Sequence, residues 1–149
     1  MKSDPYPAPL PEIVNRQRKI KLDLRKFESF SVALVESVEE CERLPFVVAF
    51  VSDNKMTELN TAYKGKKSTT DVLSFPNEVE KFEEADSLGD IVISVEQAAR
   101  QAKSNRLSVE REIKQLMLHG LLHLCGYDHE TDDGEMNSRE LELREELGI

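Results

Sequence analysis

Apolar residues fall at Phe27, Phe30, Leu34 and Val38, three or four positions apart, and this period predicts a helix over Leu24 to Cys41 with one buried face. Phe46 to Val51 is an unbroken apolar run behind Pro45, the pattern of a strand buried on both sides. Lys19 to Asp23 alternates and predicts an earlier, first strand. Beyond the apolar run, Asp53 stands where it can cap a short helix reaching Tyr63, with Gly65 as its stop. Val72 to Phe75 and Asp90 to Ile93 predict two more strands, separated by an acidic stretch around Glu78 to Asp86. Ser94 followed by Gln97 is a capping-box pattern and opens a helix to about Asn105. Val109, Ile113, Leu116, Gly120 and Leu124 then mark the buried stripe of a longer helix capped by Ser108, and helical spacing returns from Met136 to Leu147.

Strand, helix, strand, helix, two strands and then helices is the order of an α+β fold, a single mixed β-sheet of about four strands packed with helices. Pro5, Pro7, Pro9 and Pro11 precede it. Their spacing suits an extended segment, so residues 1–15 are expected to form a Pro-rich arm and residues 16–149 a single catalytic domain. At 149 residues the chain has the length of one ordinary domain and can bury a real core. No apolar run reaches membrane-spanning length and none near the start reads as a secretory signal, which predicts a cytoplasmic protein outside any membrane. Cys41 and Cys125, 84 positions apart, make no disulfide framework, in keeping with a reducing compartment.

All three histidines of the chain, His119, His123 and His129, lie in one stretch reading HGLLHLCGYDH. His119 and His123 are four apart, so on a helix they stand one turn above each other on the same face. Gly126 follows where a left-handed residue can end the helix, and the turn through Tyr127 and Asp128 can bring His129 back to that face. Three nitrogens with an open fourth position is the arrangement of catalytic zinc, whereas structural zinc is closed by four protein ligands. Ligands at relative positions 0, 4 and 10 with glycine at 7 also match the HExxHxxGxxH spacing of a class of zinc peptidases. The glutamate that serves those enzymes as general base is Gly120 here. Cys125, two residues after His123, points about 200° away from the ligand face and is expected in the core.

HGLLHLCGYDH resembles the HGxLHLxGYDH signature of the YbeY family of bacterial metal-dependent endoribonucleases. LNTAYKGKKSTTDVLSFP, from Leu59 to Pro76, is similar to the family's LNxxYRxxxxxTDVLSFP, and LGDIVIS, from Leu88 to Ser94, to its third signature. The resemblance covers roughly residues 45 to 130, and three motifs in order make it specific. It implies a zinc-hydrolase-like metal helix and a zinc-dependent endoribonuclease specific for single-stranded RNA. It also implies work in rRNA maturation at the 16S rRNA 3′ end and in ribosome quality control, with ribosomal or ribosome-associated proteins as partners. The family's functional arginine is replaced by Lys64 in this chain.

The net charge of −9 runs against an RNA substrate, because polyanion binding draws on basic surface. Its distribution relieves part of that. Residues 1–26 carry seven Lys or Arg against three acids, Lys64, Lys66 and Lys67 form a basic run, and Glu130 to Glu146 holds eight acids against two arginines. These blocks allow a basic groove and an acidic back.

For mechanism, the expected assignment is a Zn²⁺ ion on His119, His123 and His129, which lowers the pKa of its bound water towards roughly 7. Lys64 is the candidate cation for the charge developing on the phosphoryl group, without the bidentate fork an arginine offers. Ni²⁺, Co²⁺ or Fe²⁺ also suit three histidines. The general base is open; Asp128 and Glu130 flank His129, with Asp128 favoured as a carboxylate that orients an imidazole. Asp71 is expected to hold its loop, Asp90 is ambiguous, and Tyr63 is either packed or a surface for stacking a base. Two other readings stand beside this one: a zinc peptidase-like hydrolase, and a metal-stabilised RNA- or ribosome-binding factor without catalysis.

Overall fold

The computed structural model describes residues 9–77 and 86–149. Its elements, in chain order, are strand β1 (Glu12–Asn15), helix α1 (Leu24–Ser37) followed by a 3₁₀ turn (Glu39–Cys41), strand β2 (Val47–Val51), helix α2 (Asp53–Lys64), strands β3 (Val72–Pro76) and β4 (Gly89–Ser94), and helices α3 (Val95–Asn105), α4 (Val109–Leu124) and α5 (Glu135–Leu147). The four strands form one sheet in the order β1-β2-β4-β3. β1, β2 and β4 run parallel, and β3 is antiparallel to β4, so the sheet is mixed as expected.

The two inner strands, β2 and β4, alternate between two cores, which is the period of the pleat. Val48 and Phe50 of β2 and Ile91 and Ile93 of β4 join Phe27, Phe30 and Leu34 of α1 and the buried stripe of α4 in the main core. Val51 and Val92 point the other way and meet Met56 of α2 and Leu73 of β3 in a smaller one. α4 is the central helix: Ile113, Met117, Leu118, Leu121 and Leu122 are fully buried, and its cap is Ser108, whose hydroxyl accepts from Arg111 N as the sequence predicts. Phe27 and Phe50 meet edge to face across the main core, 5.2 Å between ring centroids.

Three expectations are corrected. The first strand is Glu12–Asn15, inside the expected arm, and Lys19 to Asp23 is not a strand and joins no strand among the described residues. Ile20 and Leu22 do alternate inward against the core, but β1 already occupies that edge of β2, through Glu12 N to Phe46 O and Arg16 N to Phe50 O. The following segment is held as a loop by Gln17, whose amide side chain both donates to and accepts from Ile20. Pro11 fits immediately before a short edge strand. Second, α2 is capped by Ser52, not Asp53. Asp53 instead accepts from Ser94 Oγ at 2.6 Å and pairs with Arg100 at 2.8 Å, tying the starts of α2 and α3 together. Third, α1 stops at Ser37 and the 3₁₀ turn carries the chain on to Cys41. Pro5 and Pro7, and the acidic stretch from Glu78 through residue 85, lie outside the described residues.

Cys41 and Cys125 are free thiols whose sulfurs lie 3.6 Å apart in the core, so the packing role expected for Cys125 holds and the two distant positions prove to be neighbours. Among the described residues no helix is long and apolar enough to cross a membrane.

Candidate metal centre

α4 lies directly on β3 and β4, and Gly120 is what lets it do so. A Cβ at this position would sit 2.7 Å from Ile91 Cγ2 and 3.3 Å from Val72 Cγ2. The helix is further pinned there by Ser74 Oγ, which donates to Gly120 O at 3.0 Å. Since residue 120 faces the sheet, His119 is turned off the core by one step of about 100°, and His123 stands one turn above it. Both are half-buried. Leu124 is the last helical residue, Gly126 takes φ +100°, and Tyr127 N returns to Leu122 O, so the chain reverses and carries His129 back.

The three imidazoles converge. Their ring centroids are 4.9 Å (His119–His123), 5.3 Å (His123–His129) and 5.5 Å (His119–His129) apart, and one nitrogen from each lies within 4.8 Å of the others. An ion held tetrahedrally at about 2.1 Å from each nitrogen sets them about 3.4 Å apart. One nitrogen from each ring is thus placed where the three could hold a single ion together. The outer nitrogens are already engaged. His123 Nδ1 donates to Tyr127 O at 3.0 Å, and because a carbonyl only accepts, the proton is on Nδ1 and the Nε2 lone pair faces inward. His119 Nδ1 lies 2.6 Å from Glu140 Oε1, which leaves its Nε2 inward as well. Burial, and then the neighbouring His119 and His129, hold His123 below the ordinary histidine range, favouring the neutral form a metal needs. The donor set and its tautomers fit a divalent cation with an open coordination position.

Glu140 is the member of this site that the sequence did not reveal. It sits in α5, 21 residues from His119, and is itself held by Arg144 Nη2 at 2.8 Å. Burial pushes its carboxyl up, but the hydrogen bond from His119 and the charge of Arg144 outweigh that and hold it below the usual carboxylate range. Asp128, favoured earlier for this orienting role, lines the cavity but spends its carboxylate on the backbone N–H of Glu130, shaping the turn. Glu130 is exposed. A second brace runs through Tyr127, whose hydroxyl donates to Glu40 while Arg139 of α5 grips the same carboxylate with two nitrogens, at 2.8 and 2.9 Å. The loop that carries His129 is thus tied to both the 3₁₀ turn and α5.

A cavity of about 490 Å³ opens over the histidines, walled by β3, the end of α2 and the turn from Gly126 to His129. Lys64 lines it, as do Tyr63, Asp71 and Ser74. Of the cations singled out in the sequence, Lys64 alone does so among the described residues. The basic residues after β1 belong to the opposite edge of the sheet, three strand spacings or about 14 Å from β3. The loop after Lys64 is fixed by the buried Asn60, which donates to Ser68 O and accepts from Lys66 N through its backbone. Asp71 holds its own loop, accepting Val72 N at 2.8 Å, as expected. Asp90 is exposed on β4 and outside the cavity.

The chain is an α+β domain with a mixed four-stranded sheet and, at the end of a core helix, a three-histidine cluster whose donors fit a divalent metal ion. The family model described as Endoribonuclease YbeY matches residues 12–148. Proteins named Endoribonuclease YbeY from Alkaliphilus metalliredigens (40% identical; 92% of this chain, 94% of that protein) and Caldanaerobacter subterraneus subsp. tengcongensis (39%; 92% and 96%) are similar over nearly their whole lengths. So is that from Thermodesulfovibrio yellowstonii, 37% identical over 89% of this chain and 92% of its own. The solution structure of TM1509 from Thermotoga maritima superposes with a TM-score of 0.64 at 28% identity, covering 93% of this chain and 88% of that one. The chain belongs to the YbeY family of endoribonucleases.

Proposed function

We propose that this protein is a Zn²⁺-dependent endoribonuclease that cuts single-stranded RNA during rRNA maturation in the cytoplasm, with His119, His123 and His129 as the metal ligands and Lys64 as the cation that steadies the reacting phosphodiester. The observation that carries the reading is the convergence of three imidazoles, two with their outer nitrogens fixed, in a cavity that Lys64 also lines. When bound, such an ion supplies Lewis-acid charge and an acidified water at neutral pH. The chain's own residues do the rest. Glu140 and Tyr127 O hold His119 and His123 in the tautomer with Nε2 inward. Lys64 offers its ammonium to a non-bridging oxygen as negative charge grows there, a point charge rather than a fork. Gly120 supports a nuclease over a peptidase, because the place of the peptidase base faces Ile91 and Val72 with no room for a side chain. Ni²⁺ and Co²⁺ suit the same donors. We assign catalysis to one domain that begins with β1 rather than at residue 16, and the rRNA substrate and ribosome-associated partners to membership of the family.

The test is cleavage of a labelled single-stranded RNA by wild type and His123→Ala, with bound metal quantified in each and an unstructured peptide assayed in parallel. Loss of RNA cleavage together with metal supports the reading. Peptide cleavage that depends on His123 overturns it, and so does undiminished RNA cleavage by the metal-free variant.

A further inference from the structure

Among the described residues only three large apolar side chains are mostly exposed, Leu10, Tyr63 and Leu141, and Tyr63 is the one that lines the cavity over the histidines. It is 56% exposed although it stands in the penultimate position of α2, next to Lys64. It is nevertheless anchored. Its ring meets Phe75 of β3 edge to face, 4.7 Å between centroids at 65°, and Phe75 packs on the smaller core of Val51, Met56, Leu73 and Val92. Its hydroxyl makes no hydrogen bond among the described residues, in contrast to that of Tyr127, so the polar tip does not explain the placement. What the fold presents is a half-exposed aromatic ring, held by Phe75, in the same cavity as a cation and three imidazoles.

We propose that Tyr63 is a stacking platform for an unpaired nucleobase adjoining the scissile phosphodiester, and that it makes this cleft select single-stranded over paired RNA. The inference rests on the endoribonuclease reading above and adds the residue that sets its substrate form. A base in a single strand can splay out and lay its face on an aromatic side chain. In a duplex both faces are covered by neighbouring bases, and freeing one costs a few kcal/mol in unstacking and unpairing. Because every base has such a face, the platform discriminates strandedness and tolerates sequence. Its ring is already fixed by Phe75, so little side-chain freedom is lost when a base arrives. Lys64, the next residue, then meets the backbone of the same nucleotide.

A brace for β3 and a stacking platform predict different behaviour, and Tyr63→Leu and Tyr63→Phe separate them. The metal-loaded protein is titrated with a short single-stranded RNA carrying 2-aminopurine, and with the same RNA annealed to its complement. Stacking predicts quenching by wild type and Tyr63→Phe with the single strand. It also predicts loss of quenching with Tyr63→Leu, affinity weakened about 5- to 150-fold, and the loss in cleavage falling on KM, while the melting temperature stays near that of wild type. The preference for single strand over duplex narrows in Tyr63→Leu alone. Quenching and affinity that are equal in Tyr63→Leu and wild type overturn the proposal even though RNA is bound and cut. Failure of wild type itself to bind or cut RNA overturns the endoribonuclease reading instead.

Discussion

Glu140 Oε1 lies 2.6 Å from His119 Nδ1, and this contact joins α5 to the metal site across 21 residues of sequence. A carboxylate in this place fixes the tautomer and ring orientation of a ligand and makes its inward nitrogen more basic. Glu140→Gln keeps the shape and removes the charge. The expected result is a fall in Zn²⁺ affinity of about 10- to 100-fold, read by competition against a chelator, with the helical content of the protein unchanged. Equal affinity in variant and wild type would show that Glu140 serves packing alone.

Gly120→Ala should destabilise without touching a ligand. The added methyl meets Ile91, a fully buried residue with nowhere to move, so the cost is that of overpacking, about 1–3 kcal/mol. For a chain of this size that is a fall in melting temperature of about 3–10 °C, measured by calorimetry. An unaltered melting temperature would mean that α4 and the sheet separate more freely than their contact suggests.

Lys64→Ala should lower cleavage of single-stranded RNA by about 100- to 1000-fold while bound metal, read by elemental analysis, stays at the wild-type level. Lys64→Arg should recover most of that loss or exceed wild type, because its fork can take two phosphoryl oxygens at once. Cleavage by Lys64→Ala at the wild-type rate would remove the residue from the mechanism.

The Glu40–Arg139 pair predicts how stability falls in acid. Hydrogen bonding to Arg139 holds the Glu40 carboxyl down at about 2, against an ordinary value of 4.5. A depressed folded-state value contributes stability that is fully present above pH 4.5 and is lost as pH falls from there towards 2. The pair is partly exposed, so solvent screening leaves about 1–2 kcal/mol of it. Urea midpoints of wild type and Glu40→Gln should therefore differ at pH 7, draw together as pH falls below 4.5 and converge only below about 2. A gap of constant size across that range would contradict the linkage.

The helices were legible because each carries a local signature. The stripe from Val109 to Leu124 and the cap at Ser108 specify α4 without reference to the rest of the chain, and the spacing of His119, His123 and His129 follows from it. β1 was not legible, since four residues behind Pro11 carry too little alternation, and what makes them a strand is the free edge of β2. Lys19 to Asp23 misled for the same reason in reverse: its alternation is real and packs Ile20 and Leu22 against the core, but β1 already holds the edge of β2. Glu140 left one signal. In α5 the buried positions are Met136, Glu140 and Leu143, so a carboxylate occupies the apolar stripe, and a charge there needs a partner. Asp128 was the nearer carboxylate in sequence, but a residue so close to its histidine is taken up by the turn itself.

The cavity wall formed by β3 is also the outermost strand of the sheet. A site walled by an edge strand can take a stretch from the middle of a long polymer, whereas a tunnel would have to be threaded from a terminus. For an endoribonuclease, such a wall leaves the position of a cut independent of its distance from either end of the RNA.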